Sequence, residues 1–213
     1  GMDQLYNQAA KIRYMFGGKA KVPMVLRTAS CGGAGFGPHH SQSLEAIFAH
    51  IPGLKVVMPA TPYDAKVLLI SSVRDDNPVV FLEHKVLYKN KKYAQEVPEG
   101  IYTIPLGKAE VKRQGKDLSI VASSYMVQKS LEAAEELSKQ GIDCEVVDLR
   151  TIRPLDIDTV MASVEKTGKL LCVEEACSFG SFMGEVITQV IEKGFDYLDA
   201  PPIRIAGKNC PVP

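Results

Sequence analysis

Two adjacent imidazoles, His39 and His40, follow a run in which Gly32, Gly33, Gly35 and Gly37 leave the backbone almost bare of side chains. Such a run allows a sharp bend or a close approach to another group. The histidines stand just ahead of Ser41, which reads as the N-cap of a helix over 41–50 with Glu45 in its first turns. Imidazoles titrate near neutral pH and helix starts attract anions, so this loop suits a substrate or anion. An ordinary tight loop with solvated histidines would carry the same residues. The glycine spacing is not G-x-G-x-x-G, which makes a dinucleotide cradle a weak reading. Other polar sets mark element ends. Ser72, Asp75 and Asn77 fall where a helix stops, and Glu174–Glu175 read as a solvated strand end rather than an acid/base pair. Asp148, Arg150 and Arg153 give another strand a polar end, while His50 and His84 read as capping or packing groups.

Five cysteines (Cys31, Cys144, Cys172, Cys177 and Cys210) are scattered and odd in number. Cys172 and Cys177 have no matching second pair, so buried free thiols are expected in preference to zinc, as in a reducing cytoplasm.

The elements that must position these groups alternate. Helical spacing covers 3–16 and stops at Gly17–Gly18. Apolar strands are expected at 22–27, 54–58 and 79–82, with helices over 41–50 and from Thr61–Pro62 to about Val73. Apolar strands alternating with helices indicate a parallel sheet covered on both faces. Lys85 to Gly107 loses all periodicity and reads as a linker with a short extended piece at 100–104. Strands at 118–122, 144–149, 169–173 and 202–206 then alternate with helices at 123–140, 156–166 and 181–193. This second unit reads as complete, whereas three strands leave the first with an exposed sheet edge.

With 213 residues, 46% hydrophobic and 23% charged, the chain can bury a normal core. Lys+Arg 25 balance Asp+Glu 25, which argues against nucleic acid or an anionic membrane as partner. No apolar run approaches the roughly 20 residues that span a bilayer. The start, Gly1-Met2-Asp3-Gln4-Leu5, lacks the pattern of a secretory signal, and Gly1 reads as a scar of tag removal.

Several segments, in one consistent order, resemble a known family. Gly35-Phe36-Gly37-Pro38-His39-His40-Ser41-Gln42-Ser43-Leu44-Glu45-Ala46, His50-Ile51-Pro52-Gly53-Leu54-Lys55-Val56-Val57-Met58-Pro59, Thr61 to Lys66 and Arg74 to Pro78 carry the first part of the resemblance. They are similar to the beta subunit of the thiamine-diphosphate-dependent first component of 2-oxo acid dehydrogenase complexes (pyruvate, acetoin or branched-chain). Asp148 to Asp156 and Val173-Glu174-Glu175 resemble the C-terminal domain shared with transketolases. The resemblance implies an α/β fold with a truncated pyrimidine-binding domain over 1–88, a linker over 89–106 and a three-layer α/β/α transketolase C-terminal domain over 107–213.

By the same resemblance, His40 is the active-site histidine. His39 departs from the family's glutamine or aromatic, and in an extended loop it would point away from the chemistry. Ser72, Asp75 and Asn77 resemble a potassium site built from main-chain carbonyls. Thiamine diphosphate and magnesium would be held jointly with an alpha subunit, and the acyl group would pass to lipoyl groups on a dihydrolipoyl acyltransferase core. Self-association is also expected. The family's further N-terminal stretch carries the glutamate that activates the cofactor, so the chain reads as a fragment or the product of an interrupted gene. On this reading it is inactive alone, or a non-catalytic assembly module. A transketolase or deoxyxylulose phosphate synthase relative fits Arg74–Pro78 and Pro38–Gln42 less well.

Overall fold

A computed structural model describes residues 1–212 of the chain. Three strands, β1 (Val25–Ser30), β2 (Lys55–Val57) and β3 (Val79–His84), pair in parallel in the order β1-β3-β2. Val79 to Leu82 are buried on both faces, as a central parallel strand requires. On one face lie α3 (Pro62–Val73) and the segment carrying Tyr102, Ile104 and Leu106, packed with Val57, Val67, Leu68, Val79 and Phe81. On the other lie Leu5, α1 (Ala10–Met15) and α2 (Glu45–Ala49), whose Phe48 and Ala49 meet Val56, Val80 and Leu82. Two local rules set these helices. Thr61 caps α3 by accepting the Asp64 N–H at 3.1 Å, with Pro62 at the first helical position. Gly53 (φ +102°) lets the turn before β2 pass under the first helix, since a Cβ there would lie 1.9 Å from the Ala10 carbonyl oxygen.

The second sheet has five strands in the order β4-β6-β5-β8-β9: β4 (Glu110–Arg113), β5 (Leu118–Ala122), β6 (Cys144–Asp148), β8 (Leu170–Cys177) and β9 (Ile203–Gly207). All pair in parallel except β4, an antiparallel edge. Alternation divides the strands' side chains between two helical layers. Ile120, Ala122, Cys144 and Val146 pack on α4 (Tyr125–Ser138), while Val121, Val147 and Cys172 face α5 (Ile157–Thr167) and α6 (Phe182–Gly194).

Three sequence expectations are corrected. The first sheet has four strands, not three: β7 (Thr151–Arg153) leaves the second unit and pairs antiparallel with β2. Ile152 is 1% exposed in a core that runs continuously through both units, and burying a side chain of this kind contributes about 1.5–3 kcal/mol. The second unit is therefore not closed on itself. The helix expected over 41–50 begins only at Glu45, because the Cys31 N–H takes the Gln42 carbonyl (2.8 Å) and holds the segment before it out of helical geometry. The piece expected at 100–104 joins no sheet and lies along α3, with Ser71 Oγ donating to the Ile104 carbonyl (2.6 Å) and Tyr102 stacked on Tyr63 (5.6 Å).

Candidate functional site

In parallel α/β sheets, ligands gather beyond the carboxyl ends of the strands. Ser30 and His84 end β1 and β3 side by side here, and the glycine–histidine loop leaves from Ser30. The loop crosses back to form a cavity of about 640 Å³, walled by Leu26, Leu44, Phe48 and Leu82 with His39, His40 and Lys85 as polar members. Pro38–His40 form one tight 3-10 turn rather than an extended run, so both exposed imidazoles line this cavity. His39 is not turned away from it, contrary to expectation. Lys85 donates to the His40 carbonyl and pins the turn.

Behind the loop lies a buried polar cluster that joins the units. Glu175, on β8, accepts the Gly32 N–H with Oε1 (2.5 Å) and contacts His84 Nε2 with Oε2 (2.5 Å). The Val86 N–H donates to His84 Nδ1 (3.2 Å), which leaves the proton of the neutral ring on Nε2, directed at Glu175. Burial alone would raise the Glu175 carboxyl, but the hydrogen bond from His84 and the further bonds and charges around it bring it below its ordinary value. Glu45 lacks such donors. Burial pushes Glu45 up to about 7, aided by the charges of Glu174 and Glu175, and its Oε2 has no partner. Glu174 is also raised by burial, although the Met183 N–H reaches its Oε2 at 3.4 Å. The Glu174–Glu175 pair is therefore no solvated strand end; it is packed against another element, which no local pattern signals.

Cys31, His84 and Glu175 place a thiol, a ring nitrogen and a carboxylate oxygen within 4.8 Å of one another. A metal at Nε2 would need its lone pair, and that would put a protonated Nδ1 against the Val86 N–H. Burial also holds the Cys31 thiol up at about 12, far from a ligating thiolate. The donor set suits a hydrogen-bonded strut better than a cation. Cys172 is likewise buried, but Cys177 and Cys210 are exposed, which corrects the expectation of buried thiols throughout.

Ser72, Asp75 and Asn77 lie before β3, at the end opposite His84, a strand of six residues or roughly 20 Å away. The structure does not bring them to His40. The Ser72 carbonyl accepts the Asp75 N–H (3.3 Å), and the Asp75 carboxylate takes Lys55 and both the backbone and side-chain N–H groups of Asn77 (2.9 Å each).

The polar strand end around Asp148 proves to be a second inter-unit cluster. Asp64 of α3, fully buried, lies 2.8 Å from Lys112 Nζ and 2.8 Å from Arg150 Nε. Glu110 contacts both cations, and the Arg150 N–H donates to Asp148 Oδ1 (2.9 Å). Arg153 donates to the Ala49 carbonyl (2.6 Å), so this region does support packing between units. Asp64 falls inside the Thr61 to Lys66 segment that carries the resemblance, but nothing local signals its role in this cluster, and Glu110 and Lys112 carry no motif.

Family models place this architecture. Residues 2–91 match the pyrimidine binding domain of transketolase, and residues 107–213 match the transketolase C-terminal domain. The chain belongs to the transketolase family. Within it, close homologues are beta subunits at about half identity. The acetoin:2,6-dichlorophenolindophenol oxidoreductase subunit beta of Cupriavidus necator is 52% identical over 213 residues, covering 99% of this chain and 62% of the relative. The pyruvate dehydrogenase E1 component subunit beta of Bacillus subtilis is 50% identical, covering 100% of this chain and 65% of the relative. The chain thus spans less than two thirds of the length of these relatives. A solved structure, a split gene transketolase described as an inactive beta4 tetramer, shares the fold with a TM-score of 0.74 at 22% identity, over 97% of this chain and 64% of that one. Among the described residues, no helix is long and apolar enough to cross a membrane.

Proposed function

We propose that the chain is the beta-subunit part of a thiamine-dependent component that decarboxylates a 2-oxo acid (pyruvate, a branched-chain analogue) or cleaves acetoin, and passes the acyl group to a lipoyl acceptor. The observation that carries this is the cavity along β1, closed by the glycine–histidine loop with both imidazoles beside an apolar wall, in a chain about half identical to pyruvate and acetoin dehydrogenase beta subunits. Bound thiamine diphosphate supplies the carbanion that lets a 2-oxo acid lose carbon dioxide. The residues present fit the apolar and acceptor side of such a group. Leu26, Leu44, Phe48 and Leu82 exclude water, and His40 can hold or move a proton at the substrate oxygen or at the acceptor sulfur. His39, on the same wall, orients a substrate carboxylate in this reading.

The residues fit magnesium and the diphosphate poorly. The thiol–imidazole–carboxylate group behind the loop is not the oxygen-rich set that magnesium takes, so both are assigned to an alpha subunit. Potassium at Ser72, Asp75 and Asn77 would rest on main-chain carbonyls alone, because Lys55 already neutralises Asp75. The domain boundaries proposed are 1–88 and 107–213 with the linker between, and the proposed partners are an alpha subunit, an acyltransferase core and a second copy. A reducing, cytoplasmic setting is supported by five free thiols.

The test is co-purification with an alpha subunit, followed by release of labelled carbon dioxide from a 2-oxo acid in the presence of thiamine diphosphate and magnesium. The chain alone is expected to release none. Binding of the alpha subunit without turnover favours an assembly module, a reading supported by the exposed Ile203 and Ile205 on β9. Absence of binding sinks both.

A further inference from the structure

Whatever orients the Pro38–His40 turn orients His40, and the turn is tied from behind through His84, the last residue of β3, and Lys85, which follows it. Lys85 takes the His40 carbonyl, while His84 turns the other way onto Glu175 of the second sheet. Glu175 also grips the root of the same loop at the Gly32 N–H, so one carboxylate holds both the loop's origin and the strand end that pins its tip. The fit is close. A Cβ at Gly32 would lie 3.0 Å from Glu175 Oε1 and 3.0 Å from Val212 Cγ1, and only a glycine lets the backbone come so near. Tyr125, at the start of α4 in the second unit, covers the His84 ring at 4.8 Å and limits its rotation.

We infer that Glu175 is a positioning residue for His40: through the His84 ring and the Gly32 amide, the C-terminal domain sets the loop that carries the histidine across the domain boundary. Glu174 supplies the internal control, because strand alternation sends it to the opposite face, toward the Met183 N–H and Arg204. The inference deepens the reading of the site and rests on it only for what His40 does. Its test reads conformation, so its failure and a failure of the thiamine reading are separate results.

The test uses the full chain, labelled for detection of the ring Cε1–Hε1 groups of its four histidines, His39, His40, His50 and His84. Glu175→Gln can still accept from Gly32, but it cannot both accept there and satisfy the His84 N–H with its amide end. In this variant the His84 and His40 ring signals are expected to move while His50 stays. Amide exchange over 32–40 should rise about tenfold, the loss of one charge-assisted hydrogen bond. His84→Phe keeps a ring against Tyr125 and removes the same bond from the other side; it carries the test if Glu175→Gln does not fold. It should move His40 in the same direction, and the double variant should add nothing further. The inference is overturned if His40 is unmoved in the folded variants while thermal stability falls, or if Glu174→Gln moves it equally.

Discussion

Around Asp64 three carboxylates face two cations, Lys112 and Arg150, whereas behind the glycine–histidine loop Glu45 and Glu175 lie near the His84 ring and the Cys31 thiol. Both clusters are buried and both bridge the same two units. The first is a clamp: each acid has a cation within contact, and the pairs tie α3 to β4 and to the start of β7. Ion pairs of this kind are hard to break one at a time, because removing one partner strands the other. In the second, Glu45 Oε2 has no partner, while Glu175 holds the Gly32 N–H and the His84 ring behind the loop that carries His40. Unpartnered buried atoms occur in both, with Asp64 Oδ1, Asp148 Oδ2 and Arg150 Nε in the first, so what separates the two is the supply of cations and the contact of the second with the loop that carries His40.

Asp64→Ala should be the most costly way to break the comparison, since it removes the acid that both Lys112 and Arg150 share. Urea unfolding is expected to show a loss of about 3–5 kcal/mol. A loss under about 1 kcal/mol, the level of a surface pair, would mean that the cluster is no clamp.

Glu45→Gln sharpens it from the other side. The folded Glu45 carboxyl lies at about 7, above its ordinary value of 4.5, so the folded chain keeps a proton that the unfolded chain releases. The resulting contribution is complete below the unfolded value and is lost as pH rises toward 7. The difference is worth about 3 kcal/mol at most. Asp148, raised by burial and then by Asp64 to about 7, adds a loss of the same sign. The native chain should therefore be less stable at pH 8 than at pH 5, and Glu45→Gln should remove about half of that slope. Parallel pH profiles for the two proteins would contradict the unpaired state of Glu45.

Gly32→Ala probes closeness rather than charge. The added methyl must displace Glu175 Oε1 or Val212 Cγ1, and a cost of about 1 kcal/mol is expected in thermal melts, with faster amide exchange in the loop. An unchanged melt would show that the loop root has room to spare.

Much of this architecture was readable from the residues. The order of apolar strands and helices, the stop at Gly17–Gly18, the Thr61–Pro62 start and the glycine–histidine loop all follow local rules. What stayed hidden depends on contact between distant segments. β7 is three residues long, and Thr151–Arg153 looks like the polar end of a strand until β2 is seen beside it. β4, Glu110-Val111-Lys112-Arg113, is too charged to read as a strand, because its polar groups are satisfied by Asp64 and Asp148 rather than by water. His84 read as a packing residue, which it is, but its reach to Glu175 spans 91 positions of sequence. The short start of α2 was obscured by Ser41, whose hydroxyl is buried without a partner instead of capping the helix.

The central claim is that the loop behind which Glu175 and His84 meet presents His40 to the reacting centre. The most direct measurement is the rate of thiamine-dependent decarboxylation by the chain combined with an alpha subunit, comparing His40→Ala and His39→Ala with the native chain. The account expects His40→Ala to lose about 10²–10⁴ in rate with alpha-subunit binding intact, and His39→Ala to lose far less. Equal rates for His40→Ala and the native complex would contradict it.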